Sequence, residues 1–168
     1  MTESARCTVI GLGSPLMGDD GLGLVALERL RHAYEIPDGV ELVDGGTWGM
    51  SLLPIIEDAD HLLFVDAINT GAPAGTVIAL ARDEIPRYLA MKVSPHQVDL
   101  RDVLAVAELR GTLPTDTIAL GMQPERVEMM VGLSPTLEHK LDGLMATIVS
   151  RLETWGFTCR PRLEAICA

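Results

Sequence analysis

The stretch GLGSPLMGDDGLG, residues 11–23, connects the apolar run of residues 7–10 to the run LVALERL of residues 24–30. The first run predicts a buried strand and the second a helix, and the glycines between them relieve the steric limits on the backbone. Two adjacent carboxylates, Asp19 and Asp20, stand where that helix begins. Because a single carboxylate suffices to cap a helix, we assign the cap to Asp19 and keep Asp20 as a candidate for function.

The same stretch is not a nucleotide-binding loop. The dinucleotide fingerprint requires a glycine at the position of Leu16, and a phosphate loop requires a lysine at the position of Asp19. Two carboxylates here would also compete for the free helix amides and repel a phosphate. They would instead attract a cation or a polarised peptide group.

The bulk composition predicts one acidic domain. The chain has 168 residues, 48% of them hydrophobic, which is enough for a sizeable core in a single domain over residues 1–168, with a loose tail after about residue 156. Its formal net charge of -11 argues against nucleic acid or an anionic membrane surface as a partner. Three cysteines without close or metal-type spacing predict a reducing, cytoplasmic location. We expect no signal peptide and no membrane span, and we favour a monomer.

Strand and helix patterns alternate along the chain. The predicted strands are residues 7–10, 40–43, 61–65, 75–81 and 117–122. Helices are predicted over 24–30, over a short segment near 50–56, from Ser94-Pro95 onward and from Ser134-Pro135 to Gly156, since serine before proline is typical of a helix start. We therefore predict a three-layer α/β/α fold around a twisted, mostly parallel sheet of about five strands, with the strand 75–81 antiparallel at an edge.

Polar side chains follow the predicted strands at one edge of this sheet, where ligands bind in such folds. Asp20 follows the first strand and Asp66 the third, although each could simply cap a helix or form a turn. His96 is the second residue of a predicted helix, whose amide dipoles keep an imidazole neutral and able to bind a metal; alone, it could equally be a surface histidine. Two carboxylates and an imidazole suit nickel or zinc and leave coordination positions open.

A second candidate segment, Asp44-Gly45-Gly46-Thr47, follows the second predicted strand. It is either a tight turn or a contact for substrate, since two glycines let another group approach the backbone closely. The sequence contains no Gly-x-Ser-x-Gly elbow, so hydrolysis by this chain would rely on a metal ion. We expect the remaining histidines to be structural or solvated: His32, His61 and His139.

These segments together resemble the [NiFe]-hydrogenase maturation endopeptidases over nearly the whole chain, from about Val9 to the final helix. The family opening, Gly-x-Gly-Asn-x-Leu-x-x-Asp-Asp/Glu-x-x-Gly, is met at residues 11–23. Four further family segments follow in the same order: Asp44-Gly45-Gly46-Thr47, Asp66-Ala67, Ser94-Pro95-His96-Gln97 and Pro124-Glu125. Five matches in order make the resemblance specific.

The resemblance implies a function. Members of this family cut a C-terminal extension from the precursor of the hydrogenase large subunit after nickel has been inserted, and that precursor carries the nickel. It implies that Asp20, Asp66 and His96 bind the metal and take part in catalysis, and that the segment from Asp44 to Thr47 governs substrate selection. Two positions depart from the family pattern: Ser14 replaces the usual asparagine, which shortens or removes a side-chain contact, and Asp20 stands where some members have glutamate.

Two other classes of function remain open. A non-catalytic chaperone that senses nickel on the precursor would bind it without yielding a shortened product. A metallohydrolase with its own zinc would lose activity to chelators and recover it with zinc, on substrates that lack nickel. The absence of a His-Glu-x-x-His helix argues against the familiar zinc proteases.

Overall fold

The computed structural model describes residues 5–46, 49–91 and 95–162 and, within these ranges, all side chains except those of residues 91 and 95–99. Its elements follow in the order β1 (Cys7–Leu12), α1 (Leu22–Ala33), β2 (Tyr34–Glu35), β3 (Val40–Gly46), α2 (Leu53–Glu57), β4 (His61–Ala67), β5 (Val77–Ala81), α3 (Ile85–Met91), α4 (Pro95–Leu109), β6 (Asp116–Met122), α5 (Pro135–Thr154) and β7 (Arg160–Pro161). Two 3-10 turns, Gly18–Gly21 and Gly49–Leu52, precede α1 and α2.

Five strands form the central sheet in the order β3-β1-β4-β6-β5. The first four are parallel, and β5 pairs antiparallel with β6 at the outer edge. The predicted architecture, including the antiparallel edge strand, is therefore confirmed. Because β3, β1, β4 and β6 run the same way, they end together at what we call the carboxyl edge, and they begin together at the amino edge.

The sheet is covered on both faces because alternate residues of each buried strand point to opposite sides. On β4, Leu63 and Val65 pack with α1 and α5, whereas Leu62 and Phe64 pack with α2, α3 and α4. Both faces of β4 are buried, which is why the strand is apolar almost throughout. By the same alternation, Asp66 lies on the side of the sheet that α4 covers.

The direction of α4 follows from the contacts at its end. The loop after α4 leads into β6, whose first residue Asp116 pairs with His61, the first residue of β4. In that loop the hydroxyl of Thr112 donates to Glu57, at the end of α2, over 2.8 Å. The helix therefore ends at the amino edge. Its 15 residues span about 22 Å, close to the length of β4, so its first turn lies toward the carboxyl edge.

Helix α5 begins and ends as the sequence predicts. Ser134 caps it by accepting a hydrogen bond from the Leu137 N–H, and Pro135 is its first residue. Beyond its last turn, Gly156 adopts a φ of 91°, which glycine takes without strain. Among the described helices, none combines the length and the apolar character needed to cross a bilayer.

The expected loose tail after about residue 156 is wrong for residues 157–162. Phe157 and Cys159 are buried in the core on the α1 and α5 side of the sheet. Strand β7 then pairs antiparallel with β2, and the Arg162 N–H donates to the Ala33 carbonyl over 2.9 Å. A two-residue strand leaves no periodic pattern in the sequence, so neither β2 nor β7 was predictable from it.

Candidate functional site

Asp66 lies near the end of the central strand β4 and is only 3% exposed. Strands β1 and β6 flank β4 on either side, so the loops that follow these two strands rise on both sides of Asp66. Its neighbour across the ladder is Gly121, where an added Cβ would lie 1.9 Å from the Asp66 carbonyl oxygen. Only glycine permits this close approach, which packs β6 against the backbone of Asp66.

Asp20 lies in the 3-10 turn Gly18–Gly21, which contacts β4. Its carboxylate Oδ2 accepts a hydrogen bond of 2.9 Å from the Ser14 N–H. Gly13 makes this turn possible, because it adopts a φ of 106° and an added Cβ would lie 1.7 Å from the Asp20 carbonyl oxygen. The backbone of Ser14 makes the contact, so the replacement of asparagine at this position leaves it intact.

Asp19 does not cap α1, contrary to the sequence prediction. The residue at the start of α1, Gly21, has no side-chain cap, and Asp19 points away from that helix into the protein, fully buried. Its Oδ2 accepts hydrogen bonds from the Glu125 N–H, the Arg126 N–H and the Ser134 hydroxyl, at 2.8, 2.9 and 2.9 Å. Its Oδ1 accepts from the Ser134 N–H at 2.6 Å. Asp19 therefore ties the turn that carries Asp20 to the loop after β6 and to the start of α5.

The backbone of His96 lies in the first turn of α4, at the carboxyl edge and on the side of the sheet that Asp66 shares. Its side chain is outside the description, so the meeting of Asp20, Asp66 and His96 around one ion stays a prediction. Among the side chains that are described, no group of three histidines, cysteines or acids is arranged to hold a metal ion. Sequence and backbone geometry place all three predicted residues at the same edge.

The segment from Asp44 to Gly46 forms the end of the outer strand β3. The side chain of Asp44 is exposed and lines a cavity of about 370 Å³ beside α1, together with Glu28, Arg31 and His32. Gly45 faces the other side of the sheet, where an added Cβ would lie 2.4 Å from Ile10 Cγ2. Thr47 lies outside the described residues. Residues 44–46 are therefore strand and not a tight turn, and a contact with substrate stays a prediction.

Gln123, directly after β6, supports the loop that follows Asp66, and no sequence pattern singled it out. Its buried side-chain oxygen accepts hydrogen bonds from the N–H groups of Thr70 and Gly71, at 2.8 and 3.1 Å. Its side-chain nitrogen donates to Asn69 Oδ1 over 2.9 Å. The loop that follows Asp66 is thereby fixed to the end of β6. Its position as a polar residue directly after a buried strand is the sequence feature that could have identified Gln123.

The remaining histidines have the structural or solvated roles that were predicted. His61 stacks on Trp155 with ring centroids 5.0 Å apart, and its Nδ1 lies 3.1 Å from Asp116 Oδ2 at the amino edge. His32 Nδ1 lies 2.9 Å from the Glu28 carbonyl oxygen, on an exposed part of α1. His139 is exposed on α5.

Known proteins share this sequence and fold. A family model described as hydrogenase maturation protease matches residues 25–151. The chain is 38% identical over 163 residues to the hydrogenase 2 maturation protease of Escherichia coli strain K12, covering 96% of this chain and 98% of that protein. It is 37% identical over 153 residues to the hydrogenase expression/formation protein HupD of Rhodobacter capsulatus, covering 90% and 73%.

Solved structures agree with these matches. The hydrogenase maturating endopeptidase HybD from Escherichia coli superposes with a TM-score of 0.90 at 36% identity, covering 95% of this chain and 99% of that one. The [NiFe] hydrogenase maturation protease HycI from Thermococcus kodakarensis KOD1 superposes with a TM-score of 0.68 at 25% identity, covering 90% and 95%. The chain therefore belongs to the hydrogenase maturation protease family, a family of endopeptidases.

Proposed function

We propose that this protein removes the C-terminal extension of a [NiFe]-hydrogenase large-subunit precursor after nickel insertion, and that it recognises the nickel that the precursor carries. Membership of the maturation protease family supports the reaction class, and the relative from Thermococcus kodakarensis is described as a [NiFe] hydrogenase maturation protease. The observation that carries the proposal is the buried Asp66 at the end of the central strand, with the turn of Asp20 packed against that strand.

The donor atoms suit the proposed metal. Asp20 and Asp66 supply carboxylate oxygens, and His96 supplies an imidazole nitrogen, a set that binds nickel or zinc well. Three protein ligands leave coordination positions for groups of the precursor, as a metal that arrives with the substrate requires. When present, the ion would polarise the scissile carbonyl or acidify a bound water molecule.

The surroundings of each of the three residues favour metal binding for a different reason. The Asp20 carboxylate is fixed by the Ser14 N–H, which leaves its other oxygen for a cation. Asp66 is buried, so little water screens the attraction between its carboxylate and a metal ion. His96 lies in the first turn of α4, where the helix dipole disfavours a protonated ring and therefore favours the form that binds metals.

The same proposal assigns substrate selection to the segment from Asp44 to Thr47. Asp44 is exposed on the outer strand of the sheet, within the same edge region as Asp20, so a precursor bound at the edge could reach it. We further propose that the protein acts in the cytoplasm. The buried free thiols of Cys7 and Cys159 support a reducing compartment.

A processing assay tests the proposal. The purified protein is incubated with candidate large-subunit precursors, with and without nickel, and the product masses are measured. We expect one shortened product, only from the nickel-loaded precursor, and a loss of about 100-fold or more in cleavage rate for Asp20→Asn, Asp66→Asn and His96→Ala, the size of effect that removing a group that stabilises the transition state typically has.

Matched variants on exposed parts of helices, Asp102→Asn and His139→Ala, control for the same changes elsewhere. Full cleavage by the three site variants would overturn the assignment of the site. Tight binding of the loaded precursor without any shortened product would instead indicate a chaperone. Cleavage of nickel-free substrates that chelators abolish and zinc restores would indicate a metallohydrolase with its own zinc.

A further inference from the structure

Four large apolar side chains are exposed next to the turn of Asp20. Leu16 belongs to the loop after β1, and the other three belong to the loop after β6. Their exposed fractions are 62% for Leu16, 54% for Val127, 90% for Met129 and 82% for Val131. We call this set the apolar ledge. A cluster of exposed apolar side chains beside a functional site is typical of a surface that binds a partner.

The two halves of the apolar ledge are joined by backbone hydrogen bonds. Met17 and Met130 form a parallel bridge, in which the Met130 N–H donates to the Leu16 carbonyl at 3.0 Å and the Gly18 N–H donates to the Met130 carbonyl at 2.8 Å. The Asp19 N–H also donates to the Arg126 carbonyl, at 3.0 Å. Leu16 and Met129 are therefore neighbours in space although they are far apart in the chain.

The apolar ledge is held rigidly. Glycine is required at position 18, where the φ is 61° and an added Cβ would lie 3.0 Å from the Arg126 carbonyl oxygen. Below the ledge, the buried carboxylate of Asp19 binds the N–H groups of Glu125 and Arg126 and thereby fixes the start of the loop. The loop is thereby held in a conformation that leaves these apolar side chains exposed and available to a partner.

We propose that the apolar ledge binds an apolar segment of the hydrogenase large-subunit precursor while the nickel site of that precursor lies at Asp20 and Asp66. The proposal rests on the function proposed above. The ledge is continuous with that site, because Leu16 and Asp20 belong to one loop and the two loops of the ledge flank the strand that carries Asp66. A precursor docked at the site must therefore lie against the ledge or pass close to it.

The charged residues near the apolar ledge indicate which residue types the bound segment contains. Glu125 and Glu128 are exposed within the loop beside one exposed cation, Arg126, and the whole chain carries a formal net charge of -11. Acidic groups around an apolar surface favour a partner with basic residues beside its apolar ones and speed its association at low salt. We infer that the segment is apolar with flanking lysine or arginine.

Steady-state kinetics on the nickel-loaded precursor test this surface. The variant Met129→Ser/Val131→Ser is compared with Leu109→Ser, which changes a residue that is 89% exposed at the opposite edge of the sheet. We expect the KM of the ledge variant to rise by about tenfold or more, which corresponds to about 1.4 kcal/mol of lost binding, with kcat within about twofold of the parent, since the ledge does not touch the reacting bond. The Leu109 variant should match the parent, and the KM of the parent should rise with salt.

Thermal unfolding of both variants should show that the fold is kept, since all the changed side chains are exposed. Equal KM values for the parent and the ledge variant would overturn the docking surface while the parent still cleaves, which leaves the proposed function intact. A fall in kcat at unchanged KM would also overturn it, because the ledge would then act on the chemistry. Failure of the parent to cleave any precursor would instead overturn the function.

Discussion

The two edges of the central sheet hold their acidic side chains in different ways. At the amino edge, three acids lie beside cationic or ionisable partners: Asp58 at 3.2 Å from Arg6, Glu57 at 3.1 Å from Arg110, and Asp116 at 3.1 Å from His61, while Asp60 accepts a hydrogen bond from the Arg6 N–H. At the carboxyl edge, Asp19 and Asp20 are held by neutral donors, which are backbone N–H groups and the Ser134 hydroxyl.

This difference has a functional meaning. An ion pair fixes an acid and neutralises it, whereas a neutral N–H group fixes the acid and leaves its full charge in place. At the amino edge the ion pairs therefore offset the charge of their acids, although exposed pairs of this kind contribute little stability. The carboxyl edge keeps negative charge in fixed positions, which the proposed binding of a cation carried by the substrate requires.

Among the variants that compare the two edges, Asp19→Asn is expected to lower the free energy of unfolding most. Either orientation of the asparagine amide turns an NH₂ group toward at least one of the four donors that Asp19 now binds. We expect the free energy of unfolding to fall by about 2–4 kcal/mol, from one or two unsatisfied buried donors. Chemical denaturation measures it, with Asp116→Asn at the amino edge as the control, expected to cost less than about 1 kcal/mol. Equal losses for both variants would remove the distinction.

The next largest loss of stability is expected where the backbone is closely packed at the carboxyl edge. Gly121→Ala places a methyl group against the Asp66 carbonyl, which lies 1.9 Å from the added Cβ. We expect this overpacking to cost about 1–3 kcal/mol and to lower cleavage by displacing Asp66. Gly143→Ala, in α5 with nothing within 4 Å, should instead raise the free energy of unfolding by about 0.5–1 kcal/mol. Thermal unfolding and the processing assay measure both. A harmless Gly121→Ala would mean that the edge is not tightly packed.

The smallest change in stability is expected at the amino edge, from the titration of Cys7, the first residue of β1. Burial and the neighbouring Cys159 raise the pKa of the Cys7 thiol from 9.0 to about 12. Above pH 9.0 the unfolded chain therefore releases this proton while the folded chain keeps it, so the free energy of unfolding falls between pH 9.0 and about pH 12. One unit above pH 9.0, we expect the free energy of unfolding to be about 1 kcal/mol lower than at pH 9.0. Chemical denaturation over this pH range should show that the free energy of unfolding falls less steeply with pH for Cys7→Ala than for the parent protein. Identical slopes for the two proteins would contradict the raised pKa.

Much of the fold was predictable because it follows from simple periodic patterns. The apolar run of β4 predicts a strand buried on both faces, and Ser134-Pro135 predicts the start of α5. Helix α3 escaped prediction because it has only seven residues, although Ile85, Tyr88 and Leu89 form its buried side. Short elements of this kind depend on packing against the rest of the chain, which no local pattern records.

The candidate site was predictable at the level of position and less so at the level of contacts. Asp20 and Asp66 lie at the carboxyl edge, as their places after β1 and β4 predict. The role of Asp19 was not predictable, because its partners Glu125 and Ser134 are more than a hundred residues away. A carboxylate before a helix predicts a cap by local reasoning, and only the folded chain reveals that a distant loop uses it.

The central claim is that Asp20, Asp66 and His96 share one divalent ion. Anomalous diffraction from crystals of the protein soaked in nickel tests it most directly, because the signal locates the metal independently of any activity. We predict one strong peak at the carboxyl edge, about 2.0–2.2 Å from a donor atom of each of the three side chains, as for comparable metal ligands. Three side chains too far apart to contact a common peak, with nickel bound only elsewhere, would contradict the account.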